Sequence, residues 1–516
     1  MPAKKVLLIG IDAGDKDSIM KWAGEGCLPT FKTLIDGSAW TVTDSPVGLF
    51  VGAVWPSFYT GASPDRHGRY CFEQLVPGSY DFARVTPRDV QVAPFWEQLD
   101  AAGKRTVVID VPKTYASELA HGVQIVDWGA HDPDKAGLVT WPPGLAEDIV
   151  RRFGTDTVGN CNAFRTRPEE FTELRDALID RVERKTALTE HLMQNRPWDC
   201  LVSVFSESHC VAHQCWHLND TSHVKYRPEL ASAGNPMREV YIAIDKGIGR
   251  LIEAAGEDVV VAVLASHGVS PHYDGNFMLD DMLLAVEGNK ALTEPSRAAP
   301  AVSLAWQLVP KVIRKRFKAA RKRARVRLNL DDTGPTPARR GRRRYFRVPN
   351  NDVYGGIRLN VIGREPSGKI RPGREYDEVC AALRDDLMAF VNLDTGEPAV
   401  LDVLRADRFY DGPLAHYLPD LFVAWNRSAP MSRLTSPKTG LVTGEYRKCR
   451  TGDHQSEGLL FFTGAGQRPA RRADTASIMD IAPTIAELLG VALDDPDGRS
   501  LVTDLRLGGA ALREQA

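Results

Sequence analysis

Five residues of types that bind transition metals lie where an apolar run gives way to a polar or glycine-rich turn. They are Asp12, His209, His213, His267 and His454. Apolar runs that indicate buried strands precede Asp12 and His267, and open parallel sheets hold their ligands at the carboxyl ends of such strands. Carboxylate oxygen and imidazole nitrogen are ligands of zinc, iron and manganese. The set therefore predicts a buried metal site.

The elements that must position these residues alternate between strand-like and helical patterns along the chain. This alternation predicts an α/β fold, in which a parallel or mixed sheet carries helices on both faces. Strands are predicted at residues 6–12, 106–112, 198–205, 259–266, 355–363 and 419–426, and helices at residues 20–34, 53–59, 168–195 and 477–490. The helix at 168–195 is amphipathic and leads directly into the strand before His209.

The composition is that of a globular protein and excludes several other classes. Of 516 residues, 43% are hydrophobic and 26% are charged. No apolar run reaches the roughly 20 residues of a membrane helix, and the first residues enter a strand without a cleavable signal, so a cytoplasmic location is predicted. The 8 cysteines form no CxxC pair, which argues against a disulfide framework or a zinc ribbon. A net charge of −2 argues against general nucleic-acid binding.

One segment departs from this near-neutral charge. Residues 291–344 contain a basic helical pattern and then a linker rich in Pro, Gly and Arg, inserted between two parts of the predicted core. The first interpretation is a solvated helix with a loop. The second is a contact of residues 311–344 with a membrane surface or a protein, since Val312, Ile313 and Phe317 form a short apolar stripe.

Six pieces of the sequence together resemble the alkaline phosphatase superfamily, and within it the type I phosphodiesterase and nucleotide pyrophosphatase branch. The pieces are IDAGD, WPSFYTGASPDRHG, the segment of His209 and His213, ASHG, GDHQSEG and MDIAPTIAELLG. The resemblance runs from about residue 4 to residue 502 and implies a three-layer αβα sandwich with a mostly parallel central sheet and cap insertions. We therefore predict a discontinuous core at 1–290 and 345–505, with a cap region at 69–140, the basic insertion at 291–344 and a tail at 506–516.

The family places two metal ions, usually zinc, on either side of a Thr or Ser nucleophile. The resemblance implies that His213 and His454 bind one ion, together with the residue four positions before His213. It implies that Asp12 and His267 bind the other.

Three positions depart from the family pattern. His209 stands where the family usually has Asp, and Ser266 stands at the usual Asp position of the ASHG segment. The position of the nucleophile falls on Val51, which has no oxygen. The candidate nucleophiles are Ser45 or Thr43 on the same approach and Ser57 or Thr60 in the following helix, with Ser45 and Ser57 preferred.

Several nearby residues have open roles. Glu207, Asp274 and Asp453 are candidates for the missing carboxylate, or they pack beside the ligands. His67, His217 and His272 are interpreted as structural residues or as partners of the ligands.

The altered ligand set favours a hydrolase that does not need a protein nucleophile. Three imidazoles suit a catalytic zinc ion, with iron or manganese as alternatives, and such an ion lowers the pKa of a bound water toward about 7. We predict a hydrolase of phosphodiesters, nucleotide pyrophosphates or related phospho- or phosphono-esters that uses one or two ions and a small anionic substrate. It would act through metal-activated water or a displaced Ser or Thr. The alternatives are a non-catalytic relative that binds an anionic ligand or a partner, and a His-rich metal site with non-hydrolytic chemistry.

Overall fold

The computed structural model describes residues 5–131, 137–158, 162–288, 336–350, 353–464, 467–471 and 474–507. The strands are β1 (Val6–Ile11), β2 (Ala39–Asp44), β3 (Glu73–Leu75), β4 (Phe82–Arg84), β5 (Thr106–Ile109), β6 (Val123–Val126), β7 (Val139–Trp141), β8 (Cys200–Phe205), β9 (Val260–Ala265), β10 (Gly268–Pro271), β11 (Tyr345–Val348), β12 (Tyr354–Leu359), β13 (Val391–Asn392), β14 (Val400–Arg405), β15 (Leu421–Trp425), β16 (Arg433–Ser436), β17 (Gly440–Thr443), β18 (Gly452–Gln455), β19 (Gly458–Thr463), β20 (Ala470–Arg471) and β21 (Ala476–Ser477).

The α-helices are α1 (Lys16–Gly24), α2 (Pro29–Gly37), α3 (Phe50–Thr60), α4 (Pro64–His67), α5 (Phe95–Ala101), α6 (Leu145–Phe153), α7 (Pro168–Asn195), α8 (Glu207–Asn219), α9 (Pro236–Ala255), α10 (Leu279–Val286), α11 (Pro337–Arg340), α12 (Arg374–Met388) and α13 (Ile481–Leu488).

A large mixed sheet forms the centre of the molecule. Its strands follow the order β20-β2-β19-β9-β1-β8-β5-β6-β7, and β21 also pairs with β2. The five strands from β9 to β6 are parallel to one another, whereas β19 and β7 are antiparallel to their neighbours. The carboxyl ends of β9, β1, β8, β5 and β6 therefore meet at one edge, where an open sheet binds its ligands.

Helices cover both faces of this sheet, which is why its inner strands are apolar along their whole length. Successive side chains of β1 enter opposite cores. Leu7 and Ile9 pack in a cluster that includes side chains of α7 and α9. Val6 and Leu8 pack in a second cluster that includes side chains of α3, α5 and α13. The predicted three-layer α/β sandwich with a mostly parallel sheet is confirmed.

A second lobe follows the basic segment. Strands β11, β12, β15 and β14 form an antiparallel sheet that packs with α10 and α12 around its own apolar cluster. Strands β13, β16 and β17 form a smaller sheet beside it. The range 345–505, predicted to be core, thus contributes β19–β21 and α13 to the central layers, pairs β18 with β10 in a two-stranded sheet, and places β11–β17 in this lobe.

Two further differences concern a predicted helix and a predicted region that the structure divides. The helix predicted at 20–34 is two helices, because Gly26 adopts a positive φ of 80° and Pro29 starts α2. In the predicted cap region 69–140, β3 and β4 form a separate hairpin, whereas β5 and β6 belong to the central sheet.

Residues 289–335, which include most of the basic insertion, lie outside the described residues. In its described part, Arg343 pairs with Asp280 and Glu287, and Arg340 donates to the Tyr80 carbonyl oxygen. These arginines therefore attach the segment to the second lobe and to the β3–β4 hairpin. None of the helices described combines the length and apolar composition needed to cross a membrane.

Candidate metal centre

Three imidazoles converge at the carboxyl edge of the central sheet. The Nε2 atom of His454 lies 2.8 Å from Nε2 of His209 and 3.2 Å from Nε2 of His213, and the latter two lie 3.2 Å apart. Two of these separations are close to the N···N distance of about 3.3 Å expected when nitrogens bind one tetrahedral zinc at about 2.05 Å. All three side chains are buried. This group, the tri-His cluster, has the donor set of a metal site.

Helix α8 and strand β18 position the tri-His cluster. His209 and His213 lie one helical turn apart on the same face of α8. His454 belongs to β18, which pairs with β10, and the Thr451 amide donates to the His213 carbonyl oxygen over 2.7 Å. A Cβ atom at position 452 would lie 2.4 Å from the Ala212 carbonyl oxygen, so Gly452 allows β18 to approach α8 this closely.

Hydrogen bonding and burial leave these imidazoles suited to bind a cation. His213 Nδ1 lies 2.7 Å from the Gly452 carbonyl oxygen, so Nδ1 carries the proton and Nε2 keeps its lone pair. Burial, followed by the nearby positive charges, lowers the pKa values of His209 and His213 well below their usual range. Both rings are therefore neutral at pH 7.

Asp12 follows β1 at the same sheet edge. Its Oδ1 accepts a hydrogen bond of 2.7 Å from Trp55 Nε1, and its carbonyl oxygen accepts one of 2.6 Å from the Ser208 hydroxyl at the start of α8. Burial raises the pKa of the Asp12 carboxyl, while the Trp55 hydrogen bond and the charges of His131, His454 and Lys113 lower it.

His267 follows β9, next to β1. Its ring centroid lies 4.9 Å from that of His454, and its Nε2 is buried without a hydrogen-bond partner. Its Nδ1 lies 2.9 Å from the Ser266 hydroxyl. The Ser266 oxygen also accepts from the Ala13 amide over 3.3 Å and lies 3.3 Å from the Ile11 carbonyl oxygen. The structure thus gives the Ser266 hydroxyl partners on both sides of the β1–β9 junction.

The positions considered for a nucleophile differ in their surroundings. Val51 is the second residue of α3, whose first residue, Phe50, has its ring 6.1 Å from that of His267. The start of α3 thus faces the second ligand position, but Phe50, Val51 and Gly52 carry no hydroxyl. The Ser45 hydroxyl donates to the Ser456 carbonyl oxygen over 3.1 Å.

Ser57 is fully buried within α3, and its hydroxyl lies 3.0 Å from His67 Nε2. His67 Nδ1 accepts from the Arg69 amide, so Nε2 carries the proton and donates it to Ser57. In this arrangement His67 cannot remove the Ser57 proton. Whether Ser45 or Ser57 acts as a nucleophile stays a prediction.

Glu207, at the start of α8, faces away from the tri-His cluster toward two buried cations. Its Oε1 lies 2.7 Å from Arg181 Nε and 3.5 Å from Lys185 Nζ of α7. These charges fix the N-terminus of α8, two residues before His209. Glu207 therefore supports the position of a ligand instead of supplying the missing carboxylate.

A second group of metal-binding residue types, His272, Asp274 and Asp453, lies beside the tri-His cluster. Asp274 Oδ2 lies 2.8 Å from His272 Nδ1, whereas Asp453 Oδ2 lies 3.5 Å from His272 Nε2. One ligand atom from each of the three residues lies within 4.8 Å of the other two, a spacing that one shared cation fits. The same contacts form a chain from Asp274 through His272 to Asp453.

This chain ends on the tri-His cluster. Asp453 Oδ1 lies 2.8 Å from Nδ1 of His454. Burial opposes ionisation of Asp453, but His272 and His454 hold its pKa well below the usual range. Asp453 thus lies on the side of His454 opposite to the converging Nε2 atoms and orients that ring.

Three positively charged or imidazole side chains near the site were missed by the sequence analysis. The His131 ring centroid lies 3.8 Å from that of His209, and His131 Nδ1 lies 3.3 Å from Cys210 Sγ. The charge of Lys113 acts on Asp12, and that of Arg450 acts on His209 and His213. Lys113 follows β5, which was predicted, so a search for chemistry after every predicted strand would have found it, whereas His131 follows β6, which was not predicted.

The comparisons with known proteins agree with this architecture. The sequence model of the type I phosphodiesterase / nucleotide pyrophosphatase family matches residues 6–429. The chain belongs to this family. The predicted branch of the alkaline phosphatase superfamily is thereby confirmed, and members of the family hydrolyse phosphodiesters and nucleotide pyrophosphates. No match was found among curated proteins.

Two solved structures align with almost the whole chain. Phosphonoacetate hydrolase from Sinorhizobium meliloti 1021, in complex with phosphonoformate, aligns with a TM-score of 0.50 and 13% identity, covering 95% of this chain and 96% of that chain. Human ectonucleotide pyrophosphatase / phosphodiesterase 5 aligns with a TM-score of 0.49 and 12% identity, covering 97% of this chain and 99% of that chain. At 13% identity the likeness to phosphonoacetate hydrolase concerns the fold alone.

Proposed function

We propose that this family member is a metal-dependent hydrolase of phosphodiesters, nucleotide pyrophosphates or related phospho- and phosphono-esters. The observation that carries the proposal is the convergence of three buried Nε2 atoms at the carboxyl edge of the sheet, two of them on rings that burial keeps neutral. Uncharged imidazoles this close together need a cation between them or a shared proton. The donor set fits zinc, with iron or manganese as alternatives.

The bound ion would supply a Lewis acid and a charge clamp for phosphoryl transfer to water. The protein's own residues prepare its site. The Gly452 carbonyl oxygen and Asp453 orient His213 and His454 by contacts at Nδ1. The buried pair of Glu207 and Arg181 fixes the start of α8, which carries His209. The substrate is a small anion, and Arg450 and Lys113 contribute positive charge at the site.

The alternative function is binding of an anionic ligand without turnover. It is favoured by one observation, the absence of a hydroxyl from Phe50, Val51 and Gly52 at the start of α3, beside His267. A hydrolase of this kind would rely on attack by water. A cytoplasmic location and a contact through residues 311–344 stay predictions.

The test combines elemental analysis of protein purified without added metal with hydrolysis of bis-p-nitrophenyl phosphate. A panel of nucleotide pyrophosphates and phosphonoacetate extends the substrate range. We expect at least one metal ion per chain in the wild type and loss of both metal and turnover in His213→Ala. His121→Ala, which changes an exposed histidine, is the matched control and should behave like the wild type.

Three outcomes would contradict the proposal. Protein without metal would exclude the site, and unchanged turnover in His213→Ala would exclude its role in hydrolysis. Metal without turnover on the whole panel would favour the ligand-binding alternative.

A further inference from the structure

The group of His272, Asp274 and Asp453 lies outside the ligand set that the family pattern implies, and the proposed function does not use it. The three side chains are 2% exposed, and each offers one ligand atom within 4.8 Å of the other two. Among the described residues, the tri-His cluster is the only other group of this kind. Two buried carboxylates carry two negative charges, of which a protonated His272 would balance one and a divalent ion both.

The backbone that carries this group, the His-Asp-Asp group, is held in place on both strands. His272 follows β10, Asp453 lies in β18, and these two strands pair with each other. Arg427 donates to the Pro271 and His454 carbonyl oxygens over 3.1 and 2.6 Å, which links the ends of the two strands. Two of the three possible ligands are therefore positioned by main-chain contacts that need no ion.

Each carboxylate of the group has one oxygen bound by a backbone amide. Asp274 Oδ1 accepts from the Asn276 amide over 2.9 Å, and Asp453 Oδ1 accepts from the His454 amide over 2.9 Å. In both residues Oδ2 is the oxygen that faces the His272 ring, 2.8 Å from Nδ1 for Asp274 and 3.5 Å from Nε2 for Asp453. The backbone thus turns one oxygen of each carboxylate toward the same imidazole.

Asp453 Oδ2 is the atom that points to a bound ion. It is buried and has no hydrogen-bond partner among the residues that the structure describes. Its 3.5 Å distance from His272 Nε2 is longer than the roughly 2.7–3.2 Å of an N–H···O hydrogen bond. It is close to the separation of about 3.3 Å expected for two ligands of one tetrahedral ion. An ion would recover the free energy that a buried oxygen without a hydrogen bond costs.

We propose that His272, Asp274 and Asp453 bind a divalent transition-metal ion, for which Mn²⁺ is the probe, at a site separate from the tri-His cluster and from the family's second metal position. Carboxylate and imidazole ligands together suit such an ion. The inference goes beyond the proposed function, because it requires neither turnover nor an ion at the tri-His cluster.

The ion would also support the tri-His cluster. It would bind Asp453 Oδ2, while Asp453 Oδ1 stays 2.8 Å from Nδ1 of His454 and orients that ring. With one imidazole instead of three, the His-Asp-Asp group should hold its ion less tightly than the tri-His cluster. Protein purified without added metal would therefore lack this ion, and added MnCl₂ would restore it.

The first test counts Mn²⁺ in His213→Ala, in which the tri-His cluster has lost a ligand. Metal-free protein is titrated with MnCl₂, and the free ion is followed by its electron paramagnetic resonance signal. We expect one bound ion per chain, retained when Asp12→Asn removes the carboxylate of the family's second position. Adding Asp274→Asn should lower the affinity by more than the roughly 10–100-fold cost of losing an outer-shell partner. Asp36→Asn, at an exposed carboxylate, is the matched control and should keep the ion.

The second test identifies the imidazole ligand in a chain with an intact tri-His cluster. Wild-type protein that holds one zinc ion per chain should bind one Mn²⁺, and electron spin-echo modulation should show coupling of that ion to an imidazole nitrogen. His272→Gln, with its fold checked by circular dichroism, should lose both the coupling and the tight binding. If Asp274→Asn does not fold, His272→Gln takes its place in the titration.

The outcomes separate this inference from the proposed function. Absence of bound Mn²⁺, or equal affinity with and without Asp274→Asn, would overturn the second site in favour of a protonated His272 between two carboxylates. Loss of the ion in Asp12→Asn alone would assign it to the family's second position and would also overturn the inference. Either result leaves the hydrolase proposal standing. Mn²⁺ bound at the His-Asp-Asp group in a protein whose tri-His cluster binds no metal would overturn the hydrolase proposal alone.

Discussion

Replacement of Glu207 by glutamine should destabilise the metal-free protein by about 3 kcal/mol, at the lower end of the cost of breaking a buried ion pair. Glu207 belongs to a group of four buried charges that also contains Asp110, Arg181 and Lys185. Lys185 Nζ lies 3.0 Å from Asp110 Oδ2 and 3.5 Å from Glu207 Oε1, and Arg181 Nε lies 2.7 Å from Glu207 Oε1. The four side chains are at most 1% exposed.

The magnitude follows from the balance of these charges. Two cations face two fully buried carboxylates, and Arg181 also lies 3.3 Å from the partly exposed Asp156, so the substitution removes one of the two buried counterions and leaves Arg181 with Asp156. Removing one partner of a buried pair costs roughly 3–5 kcal/mol. The glutamine amide oxygen still accepts from Arg181 Nε, which places the expected loss near the lower end of that range.

The assay is urea unfolding in the presence of a chelator, so that metal binding does not contribute to stability. Asp36→Asn, in an exposed ion pair with Lys32, is the control and should change the free energy of unfolding by less than about 0.5 kcal/mol. The double variant Glu207→Gln with Arg181→Met removes both partners of the closest pair, leaves the Lys185–Asp110 pair in place, and should be more stable than Glu207→Gln alone. A loss below about 1 kcal/mol in Glu207→Gln would refute the reasoning.

Three other predictions test separate parts of the structure. Burial lowers the pKa of His67 from 6.5 to about 3, so between these values the unfolded chain binds one proton more than the folded chain. The unfolding free energy of the metal-free protein should therefore fall as pH decreases from 6.5 to 3, by about 4 kcal/mol from this group, and the urea-measured slope should be smaller in His67→Gln. Ser57→Ala should keep the wild-type turnover of bis-p-nitrophenyl phosphate within about threefold and lose about 1–2 kcal/mol of stability, because His67 Nε2 loses its acceptor. Turnover reduced by orders of magnitude, with the fold retained, would instead identify Ser57 as the nucleophile. Arg450→Met should raise KM about tenfold with little change in kcat or metal content, since its guanidinium, held by Asn162 at 3.0 Å, attracts the substrate anion. An unchanged KM would remove Arg450 from the binding site.

The sequence predicted the parts of the fold that local patterns determine. The amphipathic spacing of residues 168–195 gave a helix with those bounds, and the apolar run before His267 gave β9. The family resemblance then grouped His209, His213 and His454, which the structure brings into contact. Their assignment as metal ligands awaits the metal analysis.

Non-local pairing explains what the sequence did not reveal. The His131 ring contacts the His209 ring because β6 joins the central sheet beside β5. The positions of these two residues in the sequence do not reveal that strand order. The strands at 355–363 and 419–426 were recognised as strands, but their pairing in a separate antiparallel sheet depends on side-chain packing in the second lobe. The partners of Glu207 lie on α7, and no local pattern places α7 against the start of α8.

The separation of the metal ligands along the chain has a consequence for how the protein matures in the cell. His454 follows His213 by 241 residues, and translation at roughly 5–20 residues per second would take roughly 12 to 50 seconds to cover that distance. During this interval the nascent chain presents only the two imidazoles of α8, which form an incomplete and weak site. On the proposed function, complete metal loading would therefore be a late event that follows synthesis of β18 and its docking against α8.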